Sequence, residues 1–92
     1  MDIYKKAIKK FGSYKQTLKT IEELSELIQA IITFNISECI NVDIDDEMYF
    51  IYEEIADVEI MLEQLKIIFN CHDTVDKIKK QKLERLEKLI NA

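Results

Sequence analysis

The sequence predicts an all-α fold, a four-helix bundle in a single domain spanning residues 1–92. Three observations carry this. There is one Gly and no Pro, so the tight hairpins of a β-sheet have almost nothing to form from. Hydrophobic residues make up 48% of the chain and charged residues 34%, a balance that folds rather than remaining disordered. Apolar positions recur at intervals of three and four, the period of helices with one face in a core. A chain of this length buries roughly 60–65% of its unfolded surface.

The first helix is expected from about Asp2 to Lys10, with Ile3, Tyr4, Ala7, Ile8 and Phe11 on its apolar side. Gly12 ends it, because glycine adopts the backbone conformation that closes a helix. The second begins after Ser13, where Ser13-x-x-Gln16 fits a capping box, and runs to about Phe34. Its apolar arc is wide, carrying Leu18, Ile21, Leu24, Leu27, Ile28, Ile31 and Phe34. A connector of about Asn35 to Asp46 follows, with a helical turn expected near Ser37–Ile40. One of Asp43, Asp45 or Asp46 is expected to cap the third helix, which runs to about Phe69. Asn70-Cys71-His72 turns the chain, and Asp73 caps a fourth helix from about Thr74 to Ile90. There are no internal repeats or low-complexity tracts.

Composition excludes several function classes. One glycine cannot build a phosphate-binding glycine loop. With 18 acidic and 13 basic residues the net charge is −5, which repels duplex nucleic acid. Cys39 and Cys71 are too few for a disulfide scaffold and read as two free, semi-buried thiols in a reducing compartment. No apolar run approaches the length of a membrane span, and the N-terminal residues lack the apolar core of a secretory signal. The expected location is cytoplasmic.

The chemistry lies in carboxylates on the wrong helix face. On the third helix Glu59, Glu63 and Lys66 mark the solvent side, whereas Glu54 and Asp57 share the direction of Phe50, Met61 and Ile68. On the second helix Glu23 falls inside the apolar arc beside Leu27, Ala30 and Phe34. Glu26 lies one turn on, while Glu22 points to solvent. Buried carboxylates lose hydration and repel one another, so they call for a compensating cation. If the two helices pack antiparallel, the pairs Glu23/Glu26 and Glu54/Asp57 converge. Four carboxylates around one point form an oxygen cage suited to Mg²⁺ or Mn²⁺. Zinc would require a His and Cys set that a single His and two scattered Cys do not provide. A ferritin-like di-iron site would require two Glu-x-x-His pairs. Taken separately, each Glu-x-x-Glu is equally a solvated surface of an amphipathic helix.

Glu22-Glu23-Leu24-Ser25-Glu26-Leu27 and Glu53-Glu54-Ile55-Ala56-Asp57-Val58 resemble the paired motifs of the MazG-like, all-α nucleoside triphosphate pyrophosphohydrolases. That pattern is E-x-x-E, a spacer, then E-x-x-D. Here it is met by Glu23-x-x-Glu26 and Glu54-x-x-Asp57, with 27 residues between. The resemblance runs from about Gln16 to Leu89. Lys82-Leu83-Glu84-Arg85-Leu86 resembles the family's basic stretch. Where family members often carry Gly, this chain has Ser25 and Ala56, small enough to keep helices close. The resemblance implies a Mg²⁺-dependent enzyme that cleaves a nucleoside triphosphate between the α- and β-phosphates. It implies Glu23, Glu26, Glu54 and Asp57 as metal ligands and catalytic residues. It also implies a homodimer, or a tetramer, with the site near the subunit interface.

Side-chain cations must hold the phosphates in the absence of a glycine loop. Lys82, on the apolar side of the fourth helix, and Arg85 beside it are the candidates. Lys79 reads equally as a snorkelling surface lysine. Gln16 either lines a nucleotide pocket or completes the capping box with Ser13. Tyr14, Tyr49, Phe50 and Tyr52 fit core positions as well as base-stacking ones. His72 reads as a turn residue. The proton acceptor is one of the four carboxylates, Glu53 or Glu22. Two other readings compete. One is a non-catalytic helical dimerisation or regulatory module whose acids are a solvated surface. The other, within the superfamily, is a dimeric dUTPase or a phosphoribosyl-ATP pyrophosphatase.

Overall fold

Asp2 starts the first helix, its Oδ1 accepting a hydrogen bond from the Lys5 backbone N–H at 2.9 Å. A computed structural model describes residues 2–40 and 44–92 and shows four helices and no strand among them. Helix α1 spans Ile3–Phe11, α2 Ser13–Cys39, α3 Asp45–Ile68 and α4 His72–Ile90. The all-α expectation therefore holds.

Gly12 closes α1, its N–H reaching the Ile8 carbonyl at 2.8 Å. Its φ of 89° and ψ of 150° lie in a region open essentially to glycine alone. The space around it is empty, so the backbone angle, not crowding, demands the glycine. At the far end of α3, Asn70 takes φ 50°. The Cys71 N–H bonds the Lys66 carbonyl and the Asn70 N–H bonds that of Ile67. This is a Schellman closure with Asn in the left-handed position, so the expected turn at Asn70-Cys71-His72 is present.

Helix starts differ from expectation. Ser13 lies inside α2, and no side chain caps that helix. The Gln16 amide is engaged elsewhere, so there is no capping box. Ile44 precedes α3, with Asp45 and Asp46 in its first turn, where negative charge favours the helix dipole. Asp43 lies outside the described residues. Cys71, not Asp73, occupies the cap position of α4, and Asp73 sits in its first turn. Helix α2 also runs on to Cys39 through much of the expected connector. Ser37, on this extension, is buried and donates its Oγ–H to Glu47 Oε1 at 3.3 Å. That tertiary contact favours helix over a local turn.

Helices α2 and α3 pack along their length, and α1 lies against both, while α4 touches only α3. The seam between α2 and α3 is largely polar: Gln16, Thr20, Glu23, Ser37 and Gln64 are buried in it. Val58 and Met61 are the only buried apolar residues among those described, and neither is sealed completely. Much of the expected apolar arc of α2 faces outward: Leu18, Ile21, Leu24, Ile28 and Ile31 are exposed. So are Tyr14, Tyr49, Phe50 and Tyr52, which overturns a core placement for them. Cys39 is exposed and Cys71 half-buried, and both are free.

The chain therefore leaves apolar surface uncovered. Its accessible area is 7449 Å², against about 5,600 Å² for a folded monomer of this mass. Its radius of gyration is 16.7 Å, where a compact chain of this length has about 12 Å. No helix is long and apolar enough to cross a membrane, among the described residues.

Candidate metal centre

The antiparallel register of α2 and α3 is pinned near both ends. Gln16 donates Nε2–H to Gln64 Oε1 at 2.7 Å, and Ser37 meets Glu47. Between these pins the register brings Glu23 to Asp57 and Glu26 to Glu54. One carboxylate oxygen from each of Glu23, Glu54 and Asp57 lies within 4.8 Å of the others. The same holds for Glu22, Glu23 and Glu26. The four acids named from the sequence thus fall into two triads that share Glu23, with Glu22 completing the second. Glu23 is buried and Glu54 half-buried, but Glu26 and Asp57 are exposed, so the buried placement expected for Asp57 does not hold.

The cluster is short of positive charge. Lys19 Nζ reaches Glu23 Oε1 at 3.2 Å and Glu22 Oε2 at 3.5 Å. The hydrogen bond to Glu23 and the charge of Glu22 raise the Lys19 pKa. Glu23 Oε2 and Glu54 Oε2 are buried and have no hydrogen-bond partner. Desolvation, then the charges of Glu26, Glu23 and Asp57, push the Glu54 carboxyl up to about 7. The neighbouring Glu23 charge, first among several causes, raises Glu26 as well.

These residues fit a hard divalent cation. Two ligands on one octahedral Mg²⁺, with Mg–O of 2.0–2.1 Å, stand roughly 2.9 to 4.2 Å apart, a little inside the 4.8 Å limit within which these oxygens lie. The donors are all carboxylates, as Mg²⁺ and Mn²⁺ prefer. The unpartnered oxygens of Glu23 and Glu54 are the acceptors such an ion would satisfy.

The other expected residues fall elsewhere. Lys79 and Lys82 border an exposed apolar groove on α4 with Val75, Ile78, Leu83 and Leu86. Arg85 is exposed on the same helix. Since α4 does not pack on α2, a single chain does not assemble the basic stretch against the α2 side of the acids. Gln16 is buried and spent on Gln64. Ser25 and Ala56 are exposed, so their small size closes no helix contact within one chain. His72, the first residue of α4, lies 3.4 Å from Glu63. Hydrogen bonds from Lys66 and then His72 lower the Glu63 pKa. Gln64 and Glu47 were not singled out from the sequence. The signal for both was the α2–α3 register, which pairs residue numbers summing to about 80. No family model, curated protein or solved structure matches the chain.

Proposed function

We propose that the chain is a Mg²⁺-dependent nucleoside triphosphate pyrophosphohydrolase that works as a homodimer. One observation carries the reading. Four carboxylates from two antiparallel helices lie in two triads that share the buried Glu23, and buried oxygens of Glu23 and Glu54 have no partner in the protein. A solvated acidic surface, as a regulatory module would have, does not hold Glu23 buried or push Glu54 to about 7.

Glu23, Glu26, Glu54 and Asp57 hold the cation. When bound, Mg²⁺ offsets the charge of the triphosphate and makes water more acidic. Lys19, in contact with the cluster, offers a further positive charge to a phosphate oxygen. Water adds its oxygen on one side of the α–β bridge, and the bridge oxygen leaves with the other phosphate. The proton goes to a carboxylate of the cluster or to Glu22 at its rim. The products are a nucleoside monophosphate and pyrophosphate.

The uncovered surface supports a second copy. An excess of about 1,800 Å² over a monomer's expected area matches a sizeable subunit interface. Helix α3 carries eight acids and one lysine, and α4 carries six basic residues and four acids. Lys82 and Arg85 contact phosphate in this reading by lying across the acid cluster of the partner. The test is product identity. Phosphorus NMR of a nucleoside triphosphate incubated with the chain and Mg²⁺ should show monophosphate and pyrophosphate. Diphosphate and orthophosphate, or unchanged substrate, would remove the reading.

A further inference from the structure

A cavity of about 320 Å³ opens between α2 and α3, lined by Gln29, Ala30, Thr33, Glu47 and Phe50, and by Glu26 and Glu54 of the acid cluster. Its walls are mostly apolar, and Phe50 lies 59% exposed beside it. At its far end stands Glu47. Ser37 donates to Glu47 Oε1, while Glu47 Oε2 is buried with no partner. Glu47 is two helical turns before Glu54, roughly 10 Å along α3 at 1.5 Å per residue. One sugar bridges that separation between phosphates at the acid cluster and a base in the cavity.

We propose that this cavity is a nucleoside pocket selective for guanine, with Phe50 stacking on the base and Glu47 reading its edge. The phosphate end of the argument rests on the pyrophosphohydrolase reading. An ionised carboxylate only accepts hydrogen bonds. Guanine alone among the common bases presents two adjacent donors, N1–H and the N2 amino group. One meets the unpartnered Glu47 Oε2, the other the second lone pair of Oε1, whose first is taken by Ser37. Adenine and cytosine place a ring-nitrogen acceptor beside their amino donor. Uracil and thymine flank their single N–H with two carbonyls. Each of these would press a lone pair against Glu47. An aromatic face supports any base, so selection falls to the carboxylate.

The experiment is isothermal titration of the full chain, with Mg²⁺, by guanosine, inosine, adenosine and uridine 5′-monophosphates. Inosine differs from guanosine only in lacking the N2 amino group. Guanosine monophosphate should bind about tenfold or more tighter than inosine monophosphate, since one hydrogen bond to a charged group is lost. In Glu47→Gln the two should bind within about twofold of each other. Equal binding of the two by the wild type, or binding of none, overturns the pocket without recourse to a variant. Triphosphate cleavage by a wild type blind to guanine removes the pocket and keeps the hydrolase. Guanine-selective binding without cleavage of any triphosphate keeps the pocket and removes the hydrolase.

Discussion

Gln16 donates a 2.7 Å hydrogen bond to Gln64, and both amides are buried between α2 and α3. The pair fixes the register in which Glu23, seven residues on along α2, meets Asp57, seven residues back along α3. Replacing Gln64 with Leu leaves the Gln16 amide buried and unsatisfied, which should cost about 1–3 kcal/mol. Urea denaturation measures it. An unchanged midpoint would show that the register is held elsewhere.

Without metal, stability should fall as pH rises. The Glu54 carboxyl titrates near 7 in the folded chain, above its ordinary 4.5. The folded state therefore binds more protons than the unfolded state between those values, and stability drops as pH climbs through that window. Thermal melts in a chelator from pH 5 to pH 8 should show a declining midpoint, and Mg²⁺ should restore it at pH 8. A midpoint rising with pH over this range contradicts the assignment.

Glu54→Gln should stabilise the metal-free chain at pH 8, because it removes a crowded negative charge while keeping the shape. The same change should abolish stabilisation by the ion. For the wild type, Mg²⁺ at ten times its Kd should contribute about 1.4 kcal/mol. Chemical denaturation of both proteins with and without Mg²⁺ checks both halves.

The exposed face of α2 should be a subunit contact. Ile21 and Ile28 are 61% and 60% exposed and lie two turns apart. Sedimentation equilibrium should give twice the chain mass for the wild type. Ile28→Glu, which places a charge in the apolar contact, should shift the chain toward monomer. A wild-type monomer at micromolar concentration would contradict the dimer.

Gly12→Ala should destabilise by about 1–3 kcal/mol, the cost of a side chain in that backbone region. Equilibrium unfolding measures it, and a neutral substitution would show that the α1–α2 joint adjusts freely.

The helix count and the acid pairs were legible because both rest on local periodicity. Gly12 and Asn70 mark their turns through backbone conformations that few other residues accept. Glu54 and Asp57 stood out because they share a direction with Phe50 and Met61. The helix starts were less legible. Ser13, Gln16 and Asp73 match capping patterns, but Gln16 is drawn to Gln64, a partner 48 positions away. The orientation of α2 was hidden for another reason. The helix is apolar on more than one side, so periodicity alone does not say which face meets α3. The answer came from Gln16, Thr20, Glu23 and Ser37, polar residues at heptad-like spacing that line the seam. Glu47 was invisible because its significance depends on Ser37, across the connector.

The most direct test of the central claim is pyrophosphate release from a panel of ribo- and deoxyribonucleoside triphosphates with Mg²⁺. Wild type is compared with Glu54→Gln and Asp57→Asn, with folding checked by circular dichroism. The account predicts release by the wild type and its loss, by about a hundredfold or more, in both folded variants, as expected when a ligand of a catalytic metal is removed. Release at the wild-type rate by either variant, or no release from any nucleotide, would contradict it.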